Sequence, residues 1–319
     1  MAALGLVFYF ADYRQVWNAL REGNYALFLP LAFLFQFLSF VFRSLAWHTL
    51  LQKKIGVKKL FFTINIGYLV TNIFPFRAGE IARALLLSQS GVVSFWEVAS
   101  TILIERAFDV LISVSLLLGS LPFVFALTSH GDTSWAQPAA LLSGGIVLLS
   151  VFMLHIIARN RVAIIGWVRG LEQRWKPAAR FGAKRVESFF DGLAALTDIR
   201  SFLISLGWMM LSWGANICTV YVLLKIFLDP VSLLWVTFSM GVVSMGIIVP
   251  SSPGSIGILE AAYVGALSVF NIGAAKALAL ALVSRTIYTV TTTIFGVYGL
   301  SKEGESLGHL YRRIINRKG

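Results

Sequence analysis

The chain has few residues that could hold a metal ion or form a covalent cross-link. Its 319 residues include one cysteine, Cys218, and four histidines, His48, His130, His155 and His309. A lone cysteine cannot form an intramolecular disulfide, and the histidines do not follow the spacing of a zinc site. We therefore predict no disulfide framework, no metal site and no cofactor.

Charged side chains are also scarce. They make up 13% of the residues, whereas 57% are hydrophobic and the mean hydropathy is +0.78. The apolar residues form runs of about 20, the length that crosses a hydrocarbon core of about 30 Å. Inside lipid only helices and closed barrels satisfy every backbone group. The composition excludes a soluble protein and predicts an all-α, polytopic integral membrane protein.

Acidic residues are the rarer charged type, with 15 Asp and Glu against 27 Lys and Arg and a net charge of +12. The basic residues cluster in segments that flank the apolar runs, at 52–59, 159–200 and 301–319. Cytoplasmic loops of membrane proteins carry such an excess. We therefore predict a protein of the cytoplasmic (inner) membrane with a cytoplasmic C-terminus, and membrane orientation explains the charge without a nucleic-acid partner.

The apolar runs define the predicted organisation. Complete spans are predicted at 25–50, 98–121, 139–158, 201–228 and 276–300. The predicted units are a short N-terminal helix (1–24), a first membrane repeat (25–158), a cytoplasmic basic amphipathic connector (159–200), a second membrane repeat (201–300) and a cytoplasmic basic tail (301–319). The connector interleaves aromatic and basic residues, which suits helices lying on the anionic inner leaflet.

Two apolar regions, 60–90 and 233–270, are interrupted by proline and glycine. The first breaks around Pro75 and Gly79, and the second breaks in the segment PSSPGSIG at 250–257. The arm 60–74 would be about 22 Å long as a helix, too short to cross alone. Because the flanking basic segments must stay cytoplasmic, each region begins and ends on one side of the membrane. We predict a re-entrant hairpin in each.

The two halves repeat one order of residues. In the first half, Glu80 follows the break and Arg106 lies 26 residues further on; in the second half, Glu260 follows the break and Arg285 lies 25 residues further on. Three spans separate the halves, so the predicted repeats are inverted. Inverted repeats whose broken helices meet near the midplane are typical of secondary transporters.

The first candidate site is the segment NIFPFRAGEIAR at 72–83. A helix that restarts after Pro75 presents unpaired backbone N–H groups and a positive dipole end, which suit a phosphate. Arg77 and Arg83 would add charge-assisted donors. The alternative is that both arginines are interfacial anchors.

The second candidate is the segment ERAFD, in which Glu105, Arg106 and Asp109 share a broad helix face. Each charge at membrane depth costs at least about 2.5–3.5 kcal/mol, so these groups must face partners or water. The segment is either a head-group or proton site or a self-neutralising network that locks helices together.

The third candidate is the segment PSSPGSIGILE. Ser252 would cap a helix that begins with Pro253. Its glycines would let another backbone or a lipid approach closely. Glu260 would lie about two turns inside that helix, with Arg285 as its counter-charge, and the alternative is a merely structural kink.

The segments NIFPFRAGEIAR, ERAFD and PSSPGSIGILE together resemble the membrane region of the lysylphosphatidylglycerol synthase and flippase-like family, over residues from about 25 to 300. The resemblance implies a polytopic inner-membrane protein that moves a lipid or lipid-linked substrate between leaflets. It also implies a central substrate-binding cavity formed by Arg77, Gly79, Glu80, Arg83, Glu105, Arg106, Asp109, Pro253, Gly254, Gly257, Glu260 and Arg285. The best-known members carry a soluble aminoacyl-transferase domain after the last span, whereas this chain ends 19 residues after it, so we do not expect lipid aminoacylation by this chain alone.

These patterns favour a flippase-like lipid transporter rather than a catalyst. One alternative is an enzyme that transfers a group to a lipid or polyprenyl carrier, with Glu105, Asp109 or Glu260 as general base. Another is an accessory subunit of a lipid synthase. The expected partners are a phospholipid or lipid-linked substrate and anionic lipids of the inner leaflet, and a homo-oligomer and a separate lipid synthase stay open.

Overall fold

The structure is a computed structural model that describes residues 13–74, 77–128, 198–248 and 253–316, together with the isolated positions 138 and 145. Within these ranges every regular element is helical. The helices are α1 (Tyr13–Glu22), α2 (Tyr25–Leu50), α3 (Val57–Ile73), α4 (Ala78–Ser88), α5 (Phe95–Thr128), α6 (Ile199–Phe227), α7 (Leu233–Ile248), α8 (Ile258–Ser268), α9 (Ala274–Lys302) and α10 (Leu307–Asn316), and a 3₁₀ turn (Pro253–Ser255) lies between α7 and α8. This confirms the predicted all-helical class.

Four described helices, α2, α5, α6 and α9, are long and apolar enough to cross a membrane. They correspond to four of the five predicted spans. Helix α5 has 34 residues and is about 51 Å long. It extends beyond the predicted 98–121 because Pro122 lies inside the helix rather than ending it. The predicted span at 139–158 and nearly all of the connector at 159–200 lie outside the described residues.

Helix α6 begins where a carboxylate satisfies its first backbone groups. Asp198 accepts hydrogen bonds from the backbone N–H groups of Arg200 (3.3 Å) and Ser201 (3.0 Å) and from the Ser201 hydroxyl (2.7 Å). Aspartate is a favoured N-cap because its oxygens accept from the first turn. These hydrogen bonds, led by that of the Ser201 side chain, lower the pKa of Asp198.

Both helix breaks lie where the sequence predicts them. Helix α3 ends at Ile73 and α4 begins at Ala78, while α7 ends at Ile248 and α8 begins at Ile258. The longest of these four helices, α3, has 17 residues and measures about 25 Å, less than the hydrocarbon thickness of about 30 Å. The helices flanking each break pack against each other, α3 on α4 and α7 on α8.

The start of α8 differs from the prediction. The helix does not begin at Pro253, which lies in the 3₁₀ turn; it begins at Ile258, so Glu260 is its third residue rather than two turns inside. The reason is the backbone of Gly254 and Gly257, whose φ angles of +59° and +90° interrupt a helix before Ile258. Only glycine adopts such angles without strain.

The helices pack as a bundle around one large core cluster. The contacts that hold it are α2 on α6, α3 on α9 and α5 on α7. Helices α2 and α6 approach closely at two serines, where the Ser39 and Ser212 hydroxyls lie 3.0 Å apart. Small hydroxyl residues at such contacts are typical of membrane helix pairs. Helix α10 contacts α4, and the ring of its Tyr311 stacks on Phe74 at 4.2 Å beside the first break.

Helices α3 and α4 cross with their backbones in contact at two glycines. A Cβ added to Gly79 would overlap the backbone oxygen of Gly67 and the hydroxyl of Thr71, and a Cβ on Gly67 would lie 2.6 Å from Arg83 Cδ. The family resemblance implies that Gly79 lies in the substrate cavity. In the structure Gly79 lies at the crossing of α3 and α4.

We expect Gly79→Ala to lower the free energy of unfolding by about 1–3 kcal/mol, because the methyl group must push two helix backbones apart. Thermal unfolding of the purified protein in detergent measures the effect. Gly207→Ala is the matched control, since nothing lies within 4 Å of a Cβ at that exposed position. Equal stability of the two variants would contradict the close crossing.

Candidate functional site

A cavity of about 530 Å³ lies among the membrane helices. Residues of α2, α3, α5, α6, α7, α8 and α9 line it, together with the 3₁₀ turn. The charged residues that line it within the described part of the chain are Arg43, Arg77, Arg106, Asp109 and Arg285. Charges at membrane depth are rare and mark substrate or ion sites unless they are fully used in structural pairing.

The two helix breaks meet at this cavity. Arg77, the residue that precedes α4, has a left-handed backbone (φ +52°), and its Nη2 donates to the carbonyl of Ile247 near the end of α7 (2.8 Å). On the other side of the contact, Gly254 approaches α3: a Cβ added there would lie 3.6 Å from the backbone oxygen of Asn72. The two breaks, whose residues Arg77 and Ile247 are 170 positions apart in sequence, are therefore in contact.

Helix α5 places its charges against an arginine of α2. Arg43 Nη1 donates to Glu105 Oε1 (2.7 Å), and Arg43 Nη2 donates to Asp109 Oδ1 (2.7 Å). Asp109 also accepts from the indole N–H of Trp213 on α6 (3.0 Å). One arginine thus joins α2 to α5, and Asp109 extends the network to α6.

A second part of the network is fully buried. Arg83 on α4 donates to both oxygens of Glu105, at 2.5 Å to Oε2, and each side chain is 1% exposed. The guanidinium also lies over the ring of Trp47, 4.0 Å from its centroid. Arg83 and Glu105 are therefore enclosed by protein, although Glu105 also contacts the cavity-lining Arg43.

Arg106 links the buried network to the first break. Its Nη1 donates to Asp109 Oδ2 (3.0 Å), and its Nε lies 2.9 Å from Glu80 Oε1. Glu80 is also 3.5 Å from Arg77 Nη1, so it bridges two cavity-lining arginines. Among the described residues, Nε of Arg106 is buried without a well-aligned hydrogen-bond partner.

The second half contains an equivalent pair. Arg285 on α9 donates through Nε to Glu260 Oε1 (2.6 Å) and through Nη2 to Oε2 (3.0 Å). Arg285 is thus the counter-charge of Glu260 that the sequence predicts. Its Nη1 donates to the carbonyl of Gly254 (2.6 Å). Glu260 also accepts from the backbone N–H of Gly257 (2.7 Å). The pair holds the 3₁₀ turn and the start of α8 against α9.

The structure divides the residues suggested by the sequence into two groups. The residues that line the cavity are Arg77, Arg106, Asp109, Gly254 and Arg285. The residues that support this lining or the helix breaks are Gly79, Glu80, Arg83, Glu105, Pro253, Gly257 and Glu260. The carboxylates of the second group, Glu80, Glu105 and Glu260, each form an ion pair with an arginine that lines the cavity.

Sequence reasoning missed Arg43. It lies within an apolar span, where an arginine is itself a signal of a functional or paired site. Gln36, Ser39 and Arg43 also lie at positions i, i+3 and i+7 on one face of α2, and all three line the cavity. That polar stripe could have identified the face of α2 that points inward. In the described ranges, no group of three or more His, Cys, Asp or Glu side chains could hold a metal ion.

Comparison with known proteins identifies relatives over nearly the whole chain. A family model described as "Lysylphosphatidylglycerol synthase TM region" matches residues 1–296. A protein of Haloferax volcanii named "Glycosyltransferase AglD" is 25% identical over 92% of this chain, and the match covers 52% of that protein, so the chain spans about half of its length. A "UPF0104 membrane protein" of Methanothermobacter thermautotrophicus is 24% identical over 95% of the chain and 90% of the relative. One from Archaeoglobus fulgidus is 25% identical over 82% of the chain and 81% of the relative. No solved structure matches the chain.

We expect Glu105→Gln to lower the free energy of unfolding by about 3–5 kcal/mol, because Arg83 would stay buried without a carboxylate. Unfolding in mixed detergent micelles measures the change. The control is Asp229→Asn, which breaks the ion pair between Lys225 and Asp229. The Asp229 side chain is 79% exposed, so this substitution should lower the free energy of unfolding by only about 0–1 kcal/mol. A Glu105 variant as stable as the control would refute the buried pairing.

Proposed function

Because the chain belongs to the family described as the Lysylphosphatidylglycerol synthase TM region, we propose that it is a flippase-like transporter that moves a phospholipid or a lipid-linked amphiphile between membrane leaflets. The headgroup would occupy the polar cavity while the acyl chains stay in lipid. The observation that carries the proposal is the meeting of two helix breaks beside a cavity lined by four arginines.

The proposed architecture consists of two inverted repeats. Each repeat contributes one re-entrant hairpin, α3–α4 in the first and α7–α8 in the second. Support comes from the short helices, which cannot cross alone, and from the matching pairs Glu80–Arg106 and Glu260–Arg285. Irregular backbone at membrane depth is tolerated only where protein or a wet cavity surrounds it. Opening of the cavity to alternate sides would be rocking of one repeat against the other.

The cavity also has a route to the lipid. Val110 on α5 and Thr289 on α9 line it, and both are exposed. A headgroup could therefore enter from the side while its chains remain among apolar residues. On α5 and α9 these include Leu103 and Ile294, which are large, apolar and exposed.

The proposed orientation places α10 and the C-terminus on the cytoplasmic side of the inner membrane. Basic residues close to spans favour that side. Helix α10 presents Arg312 and Arg313 on a short amphipathic segment beside the first break. Such a helix suits the anionic lipids of the inner leaflet, with each basic residue adding about 1 kcal/mol of attraction.

A second candidate is group transfer to a lipid carrier, because one relative is named a glycosyltransferase. Its general base would be Glu105, Asp109 or Glu260. The contacts of these acids disfavour that role: Glu105 is enclosed by two arginines, Glu260 is held by Arg285, and Asp109 accepts from two arginines and an indole. A base must be within reach of the proton that it abstracts. Product formation by the purified protein with a sugar donor and a polyprenyl phosphate would favour the enzyme, and co-purification with a lipid synthase without lipid movement would favour an accessory subunit.

We expect Arg106→Ala, Glu80→Gln and Glu260→Gln each to abolish protein-dependent exchange of a fluorescent phospholipid between the leaflets of proteoliposomes. Each change disrupts the charges at one break. Arg200→Ala is the control, because Arg200 is an exposed residue at the start of α6 and should leave exchange unchanged. Monodisperse elution of each variant checks that it is folded. Unaltered exchange in all three variants would rule out this site.

A further inference from the structure

We propose that the cavity selects an anionic headgroup, whose phosphate is bound by Arg77 and Arg106, over a headgroup that carries an ammonium group. The inference rests on the transport function proposed above and names the class of its substrate. It follows from the way in which the described carboxylates and guanidinium groups are paired.

The cavity offers no free carboxylate among the described residues. Asp109 is the acid in its lining, and both of its oxygens are occupied: Oδ1 accepts from Arg43 (2.7 Å) and Trp213 (3.0 Å), and Oδ2 accepts from Arg43 and Arg106, each at 3.0 Å. An ammonium group would have to displace an arginine from one of these oxygens. Because a charged donor holds its carboxylate strongly in a low-dielectric site, that exchange is unfavourable.

Guanidinium groups, in contrast, are in excess. The charged lining, the carboxylates ion-paired with it, and Arg83, which shares Glu105 with Arg43, comprise five arginines and four carboxylates: Arg43, Arg77, Arg83, Arg106, Arg285, Glu80, Glu105, Asp109 and Glu260. Among the described residues, one positive charge of this network is therefore left without a carboxylate. A monoanionic phosphate diester would neutralise it.

The donors of Arg77 and Arg106 are the ones available to that phosphate. Arg77 donates to a neutral carbonyl, that of Ile247, and its nearest carboxylate is 3.5 Å away on a residue shared with Arg106. Arg106 has Glu80 Oε1 2.9 Å from its Nε but poorly aligned for a hydrogen bond, and its Nη1 donates to Asp109. Both residues line the cavity, whereas Arg83 is enclosed by Glu105 and Trp47. Phosphate oxygens would add acceptors for these two guanidinium groups, which share the carboxylate of Glu80.

The uncharged lining suits the rest of such a headgroup. Gln36, Asn72 and Asn216 contribute amides, which can bind hydroxyl groups of a glycerol or sugar. Aromatic rings could instead bind an ammonium group. However, Phe40, Tyr68 and Tyr288 pack on one another with ring centroids 5.5–6.0 Å apart, and Arg43 and Arg106 line the same cavity. Two guanidinium groups there repel a further cation.

The test measures binding of three labelled lipids to the purified protein in non-ionic detergent: phosphatidylglycerol, phosphatidylethanolamine and lysyl-phosphatidylglycerol. We expect phosphatidylglycerol to bind about tenfold or more tightly than the lysylated lipid, with phosphatidylethanolamine between them. Equal or tighter binding of either amine-bearing lipid would overturn the proposal. Millimolar inorganic phosphate should leave the lipid bound, and full displacement by it would assign the site to a soluble anion and also overturn the proposal.

Two variants change the cavity in opposite directions. Arg77→Gln should weaken binding of phosphatidylglycerol about tenfold, because it removes one charge-assisted contact. Asn216→Asp keeps every arginine and adds a carboxylate to the lining, so it should strengthen binding of the lysylated lipid about tenfold. Arg200→Gln is the matched control and should bind all three lipids as the unmodified protein does. Unchanged lipid preference in Asn216→Asp would contradict the proposal even if Arg77→Gln fails to fold.

Leaflet exchange of the same lipids in proteoliposomes separates this proposal from the transport function. Exchange of phosphatidylglycerol faster than that of the lysylated lipid supports both. Equal exchange of both lipids overturns the headgroup preference and leaves transport in place. Selective binding of phosphatidylglycerol without exchange of any lipid overturns transport and retains the anionic site.

Discussion

A charged side chain at membrane depth is stable only when it is ion-paired or hydrated, and the charged residues in the interior of this protein follow that constraint. Each such charge costs at least about 2.5–3.5 kcal/mol on insertion scales. Glu105 meets this cost by accepting from Arg83 and Arg43 at once, so one carboxylate ties α2, α4 and α5 together. Asp109 then carries the network to α6 through Trp213. The helices that carry the charges are therefore held in one relative position by electrostatics as well as by packing.

The same pairing separates a structural side of the network from a cavity side. Arg83 has a carboxylate on one side and the Trp47 ring on the other, so it is enclosed. Arg106 shares its carboxylates with Arg77 and Arg43 and lines the cavity. Of the two interpretations of the segment ERAFD, the contacts of Glu105 support a lock between helices. Arg106 and Asp109 line the cavity, and the head-group site stays a proposal.

The sequence predicted the local features of this molecule, its spans and breaks, better than the pairing of residues that are distant in sequence. Hydropathy identified the four described spans, and proline and glycine identified both breaks, because these features act within one segment. The carboxylate partners of Arg43 lie 62 and 66 positions away, and a single charge in an apolar run says nothing about which helix will pair with it. The family resemblance placed Gly79 in the cavity, and its close approach to Gly67 could not be predicted because it depends on how two helices cross. The start of α8 was misplaced because the sequence does not reveal that Gly254 and Gly257 both adopt positive φ.

The breaks leave backbone carbonyl groups that arginine side chains satisfy. The last carbonyls of a helix have no partner within it. The carbonyl of Ile247, in the last turn of α7, accepts from Arg77 of the other half, and the carbonyl of Gly254 accepts from Arg285. Each guanidinium therefore caps broken backbone and lines the cavity at the same time. If an anionic headgroup binds as proposed and draws Arg77 away from Ile247, that carbonyl would lose its donor, so headgroup binding would be coupled to the contact between the two breaks.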